Sequence, residues 1–156
     1  MGQYKTAQVC VTGHVITGNT GWGETQDFCD KCGEKTITQC PACNAAIRGH
    51  YEVPGVFGVD SDYSPPSFCH SCGATFPWTH AKIAAAIRIF EEFGNLSKAE
   101  QETISDDVRN LARDTAGAEL SARRIKRTWE RTGPLARNLL LELAGKTAAA
   151  QILRDS

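Results

Sequence analysis

Downstream of Trp78 the apolar residues fall at helical spacing. Ile83, Ile87 and Phe90 share a face that Ile89 and Phe93 widen. Thr79 caps this first helix, and Gly94-Asn95 ends it. Ser97-Lys-Ala-Glu100 is a capping box that opens a second helix, continued by Ile104, Val108 and Leu111 with a break expected near Ser105. Ala122, Ile125 and Trp129 align in a third, over about 118–131. Gly133 then interrupts the pattern, and Pro134 suits the first turn of a last helix. That helix is apolar on more than one face, through Leu135, Leu139, Leu140, Leu141, Leu143, Ile152 and Leu153. So wide a stripe has two readings. It is the core that about four short helices bury, which is preferred, or a surface for self-association into a homo-oligomer.

Upstream of Trp78 that periodicity is absent. Thr36-Ile-Thr suits a short strand, and residues 48–66 read as a long loop holding Tyr51, Phe57, Tyr63 and three prolines. Those aromatics either cover a thin module or line a ligand groove, the first being the simpler reading. The pattern therefore predicts an α+β chain with two regions, 1–78 and 79–156. At 156 residues, 41% hydrophobic and 22% charged, the chain is rich enough in apolar residues to fold and long enough for two small domains. The most apolar stretch, Leu135 to Leu153, is interrupted by Arg137, Glu142, Lys146 and Gln151, so no membrane span is expected. The first eleven residues hold no apolar run of signal-peptide length, and a cytoplasmic protein is expected. Met1-Gly-Gln-Tyr-Lys-Thr6 fits a myristoylation pattern, but one short enough to arise often by chance.

The chemistry lies in the first region. Seven cysteines stand at 10, 29, 32, 40, 43, 69 and 72, an odd number that disulfides cannot exhaust. Six form C-x-x-C knuckles: Cys29/Cys32, Cys40/Cys43 and Cys69/Cys72. The seventh, Cys10, is followed four residues later by His14, which makes eight ligands, enough for two tetrahedral zinc ions. C-x-x-C spacing suits a tight turn that aims both thiolates at one ion. His50 is the alternative eighth ligand. His70 and His80 read as surface residues.

Two orders of pairing are open. Phe28-Cys-Asp-Lys-Cys-Gly33 and Phe68-Cys-His-Ser-Cys-Gly73 each close a half that begins with another pair, as in a tandem repeat. Cys10, His14, Cys29 and Cys32 then hold one ion, and Cys40, Cys43, Cys69 and Cys72 the other. The alternative is an interleaved cross-brace. The sequential order is preferred, because the histidine closes the first pair and only residues 34–39 separate the halves.

These knuckles are similar to those of double zinc ribbons, small β-hairpin modules each clamped by two ligand pairs. More closely, the chain resembles an uncharacterised bacterial family of small double-zinc-ribbon proteins. The residues that carry the resemblance are Gln8-Val-Cys, Gly13-His-Val-Ile, Phe28-Cys-Asp-Lys-Cys-Gly, Thr36-Ile-Thr-Gln-Cys-Pro-Ala-Cys-Asn, Ile47-Arg-Gly, Tyr51-Glu-Val-Pro-Gly, Pro65-Pro-Ser-Phe-Cys-His-Ser-Cys-Gly and Phe76-Pro-Trp. It is close over residues 1–80 and weaker beyond. It implies an N-terminal double zinc ribbon followed by a helical region, and it implies no reaction.

Charge is sorted along the chain. Residues 91–107 carry six acids and one lysine, whereas residues 121–137 carry six basic residues and one acid. Arg123, Arg124, Lys126 and Arg127 beside Trp129 invite a nucleic-acid reading, since phosphate attraction and base stacking need both residue types. The simpler reading pairs the basic segment with the acidic one. Residues 1–80 hold four basic and seven acidic side chains, and two Zn²⁺ bound by seven thiolates make that head more acidic still. An acidic head grips nucleic acid poorly, which puts a protein partner ahead. Eight ligands for two ions leave no open metal position, and neither a nucleophile–base pair nor a phosphate-binding glycine loop is present. A non-catalytic interaction or adaptor protein is expected. A rubredoxin-like iron centre is the redox alternative.

Overall fold

The computed structural model describes residues 1–56 and 62–155. Phe57 and the side chain of Leu135, both named above, lie outside what is described. The chain forms two compact units, Met1–His80 and Ala81–Ser156.

The first unit is built on short strands. β2 (Gln8–Cys10) lies between β3 (Val15–Thr17) and β4 (Thr36–Ile37), antiparallel to both. β4 is the strand that Thr36-Ile-Thr predicts. Strands of two or three residues are too short to hold together unaided. Here the Gln8 side chain links three segments: its amide donates to Thr36 Oγ1 at 2.8 Å and to the Gln26 carbonyl at 2.8 Å. The buried apolar residues are few, among them Val9, Ile47, Phe76 and Trp78, and the last two stack with ring centroids 4.6 Å apart.

The expected loop at 48–66 begins with a strand instead. β5 (Arg48–Glu52) pairs antiparallel with β1 (Gln3–Thr6), opposing Tyr4 to Tyr51. Their rings meet edge-on at 4.9 Å, with the Arg48 guanidinium 4.6 Å from the Tyr4 centroid. Further on, the Tyr63 hydroxyl donates to the Arg48 carbonyl at 2.7 Å. Tyr63 therefore packs against the core of the module, in line with the simpler of the two readings, whereas Tyr51 stays exposed beside Tyr4.

Helix α1 (Pro77–Phe93) starts two residues before the expected cap at Thr79, because Pro77 is already set for a first turn. α2 (Lys98–Arg113) has the capping box at Ser97 and Glu100 and runs through Ser105 without the expected break. One serine in a helix interior costs only tenths of a kcal/mol, and the apolar face around it is continuous. α3 (Ala118–Trp129) follows. The single last helix is corrected to two, α4 (Pro134–Ala144) and α5 (Ala148–Arg154), so five helices stand among the described residues rather than about four. Gly145 takes φ +63°, a left-handed conformation that ends α4, and Thr147 caps α5 by accepting from Ala150 N at 3.2 Å.

Leu140 and Leu153 are fully buried, while Leu139, Leu141, Leu143 and Ile152 pack against the same core. Apart from Leu135, the stripe thus lies in or partly buried against the core of the helical unit. No helix among the described residues is long and apolar enough to cross a membrane.

Candidate metal centres

Each C-x-x-C knuckle closes in the same way. The first cysteine's N–H donates to a carbonyl five residues on: Cys29 to Glu34, Cys40 to Ala45 and Cys69 to Ala74, each at 2.8 Å. Its own carbonyl accepts from the residue after the second cysteine, namely Gly33 at 2.7 Å, Asn44 at 2.8 Å and Gly73 at 2.9 Å. Those three residues all have positive φ, at 75°, 62° and 73°. Glycine and asparagine are the residues that tolerate this conformation best. The Cys10/His14 turn is built differently: Cys10 N donates to the His14 carbonyl four residues on at 2.9 Å, the Cys10 carbonyl accepts from Gly13, and Gly13, lying between the two ligands, has φ +100°.

The strands then bring the turns together. Cys10 ends β2 and His14 precedes β3, while β4 pairs with β2 and carries the Cys29/Cys32 knuckle with it. In the first cluster Cys10, His14, Cys29 and Cys32 have ligand atoms within 4.8 Å of one another, and in the second so do Cys40, Cys43, Cys69 and Cys72. The pairing is sequential and not interleaved. His14 is the eighth member; His50 instead packs edge-on against Tyr63, with ring centroids 5.5 Å apart. His70 and His80 are exposed.

The spacing within the clusters is informative. Sγ–Sγ separations are 3.8 Å for Cys10–Cys32, 3.8 Å for Cys40–Cys72 and 3.6 Å for Cys43–Cys69. His14 Nδ1 lies 3.5 Å from Cys10 Sγ and 3.6 Å from Cys29 Sγ. A tetrahedral ion with metal–sulfur bonds of about 2.3 Å and metal–nitrogen bonds of about 2.0 Å separates two sulfurs by roughly 3.8 Å, and sulfur from nitrogen by roughly 3.5 Å. The side chains stand at those edge lengths. Each cluster could hold one metal ion.

Hydrogen bonds favour the thiolate form that a metal needs at three of the ligands, whereas burial raises Cys29, and at Cys72 the Ala74 N–H is outweighed by the bond with Cys43 together with burial, which raise it to about 12. Burial pushes the Cys10 thiol up, but the Thr12 hydroxyl and the N–H groups of His14 and Thr12 outweigh it and bring it down to about 6. The N–H groups of Cys72 and Ser71 draw Cys69 to about 6 as well. Cys32 is lowered, first by the Thr12 hydroxyl. Sequence reasoning missed both Thr12 and Gln8. Thr12 was open to discovery as the hydroxyl residue lying between two ligands.

One family model, described as an uncharacterized protein conserved in bacteria (DUF2321), matches residues 3–152. The chain belongs to this family. The DUF2321 match takes in the helical unit as well as the metal clusters, so it extends well beyond the close resemblance over residues 1–80. No curated protein and no solved structure matches the chain.

The four basic residues considered for nucleic acid do not form one free face. Arg124 pairs with the buried Asp107 of α2, through Nε to Oδ2 at 2.9 Å and a terminal nitrogen to Oδ1 at 2.5 Å. Lys126 donates to the backbone carbonyls of Ile152 and Asp155 at the end of α5. Arg123 and Arg127 are exposed. Arg131 also reaches Glu100 at 3.5 Å, so the basic segment meets the acidic one within the helical unit.

Proposed function

We propose that this protein is a non-catalytic, two-zinc interaction module whose ribbon head recognises a protein partner. One observation carries the proposal: two sets of four side chains stand at tetrahedral edge lengths. A set of four protein ligands closes the coordination of its ion, and closed sites stabilise folds rather than activate water. The need for such stabilisation is plain, since the head's apolar core is thin. Thiolate-rich sets also suit zinc better than hard cations. All seven cysteines stand as free thiols within the two clusters, which leaves them available to a metal.

Recognition by the head is supported by what it leaves exposed. Trp22 is 78% exposed and Phe28 65%, and Phe28 borders a groove of about 620 Å³ together with Ile37, Gln39 and Pro41. Large exposed aromatics are typical anchors of protein interfaces. The nucleic-acid reading is weakened by the engagement of Arg124 and Lys126, and the self-association reading by the packing of Leu139, Leu140, Leu141, Leu143, Ile152 and Leu153 in or against the helical core.

Elemental analysis of the purified chain should find about two zinc ions; one ion, or iron in its place, would undo the assignment. Binding to DNA and RNA across a salt series should be weak at physiological salt. Tight binding with a steep negative slope, lost on changing Arg123 and Arg127, would restore the alternative of a nucleic-acid-binding regulator. Proteins that co-purify with the chain from its own cells should be lost from a Trp22→Ser/Phe28→Ser variant. Retention of all of them would remove the head from recognition.

A further inference from the structure

Beyond its histidine ligand, the first centre has a polar group with no counterpart at the matching place of the second. Thr12 Oγ1 lies 2.9 Å from Cys10 Sγ, 3.2 Å from Cys32 Sγ and 3.4 Å from His14 Nδ1. It therefore touches three of the four ligand atoms of the first centre and lies against the face that they define. In the second half Ala42 occupies the place two residues after the leading cysteine and has no hydroxyl to offer.

The chemistry of the donor set fixes what this hydroxyl does. In a metal-bearing centre both sulfurs are thiolates that keep lone pairs beyond the metal bond, whereas the ligating ring nitrogen has its one lone pair on the metal, so the two sulfurs are the acceptors that face the hydroxyl. The hydroxyl of Thr12 has one hydrogen, which it donates to one of these sulfurs or shares between them. Such a bond withdraws charge from the sulfurs, and the oxygen that makes it stands between the ligands and solvent. Groups of this kind around a metal orient its ligands, and losing one typically weakens metal binding by about 10–100-fold.

Building on the two-zinc reading, we propose that Thr12 is a positioning residue of the first centre. Its hydroxyl holds Cys10 and Cys32 in metal-ready arrangement, rests against His14 and shields the face that the three form. The first centre accordingly depends on a hydroxyl that the second does without.

Cobalt substitution tests this without any activity assay. Co²⁺ added to the reduced, metal-free chain gives sulfur-to-cobalt charge-transfer and d–d bands, and a Cys₃His site absorbs differently from a Cys₄ site. Titration against a competing chelator then gives the affinity of each. Thr12→Val keeps the side chain's shape and removes its donor; Thr12 is exposed, so the variant should fold. It should lose about 10–100-fold in affinity at the Cys₃His site, with a shifted d–d band, and far less at the Cys₄ site, whose band should keep its position. Thr12→Ser, which keeps the donor, should behave as the wild type. A Thr12→Val chain equal to wild type at both sites would overturn the role of Thr12, as would a Thr12→Ser chain as impaired as Thr12→Val. A wild-type chain that takes up no metal would overturn the two-centre reading itself, and so the two failures are told apart.

Discussion

Changing Arg124 to Met probes whether the basic segment is structural. Asp107 is fully buried within the helical unit, and three groups hold its carboxylate: Ser121 Oγ at 2.8 Å and two guanidinium nitrogens of Arg124. Removing the Arg124 guanidinium would leave a carboxylate out of water with the Ser121 hydroxyl for company. Stripping one partner from a buried ion pair costs about 3–5 kcal/mol. The Arg124 side chain is 44% exposed and Ser121 stays in place, so about 2–3 kcal/mol is the reasonable figure. With an m-value near 2 kcal/mol/M, that is about 1 M in the urea midpoint of the helical unit, followed by far-ultraviolet circular dichroism. Asp107→Asn added to Arg124→Met should recover much of the loss, since the amide no longer needs a counter-charge. Arg123→Met, one residue away and exposed, is the control and should move the midpoint hardly at all. Should Arg124→Met match Arg123→Met, the buried pair would not be what anchors α3 on α2, and the structural account of the arginines would fail.

Three further outcomes follow from other sites. A Cβ on Gly49 would lie 1.9 Å from the Gly18 carbonyl oxygen, a backbone atom, so Gly49→Ala should part β5 from the Gly18 segment at a cost of about 1–3 kcal/mol or more, read as lost amide protection in β1 and β5. Glu100 has its carboxyl lowered from 4.5 by the Ser97 N–H it accepts, so its contribution to α2 is complete above pH 4.5 and vanishes as pH falls through the lower folded value; Glu100→Gln should flatten that part of the acid unfolding curve. A zinc chelator should unfold Met1–His80 while the helical circular dichroism of Ala81–Ser156 persists, and simultaneous loss of both would show that metal supports the whole chain.

What the sequence disclosed depended on how local each determinant is. A C-x-x-C turn closes on itself within seven residues, and its Gly or Asn is visible beside it, so all three knuckles could be read directly. The capping box at Ser97 and Glu100 is equally local. The strand at 48–52 was not legible, because Arg48-Gly-His-Tyr-Glu lacks apolar alternation and its partner, β1, lies more than forty residues away. The division of the last helix was signalled by Gly145 and Thr147, but leucines on either side masked the stop. Thr12 carried no periodicity at all; only its place between two ligands marks it.

The pairing of β1 with β5 alters how the two metal centres should be regarded. A tandem repeat in which each half closes its own site suggests two independent modules. Yet β1 lies just ahead of the first ligand, Cys10, and β5 lies inside the loop between Cys43 and Cys69 of the second centre. His50 N also donates to the Gly18 carbonyl at 2.9 Å, tying that same loop to the one that separates His14 from Cys29. Gly49 allows the two backbones to come this close. Each centre therefore closes a loop that the other's loop is bonded to, and ordering one reduces the chain entropy left for the other to remove. The tandem pattern describes the order of the ligands. The unit that folds is the pair.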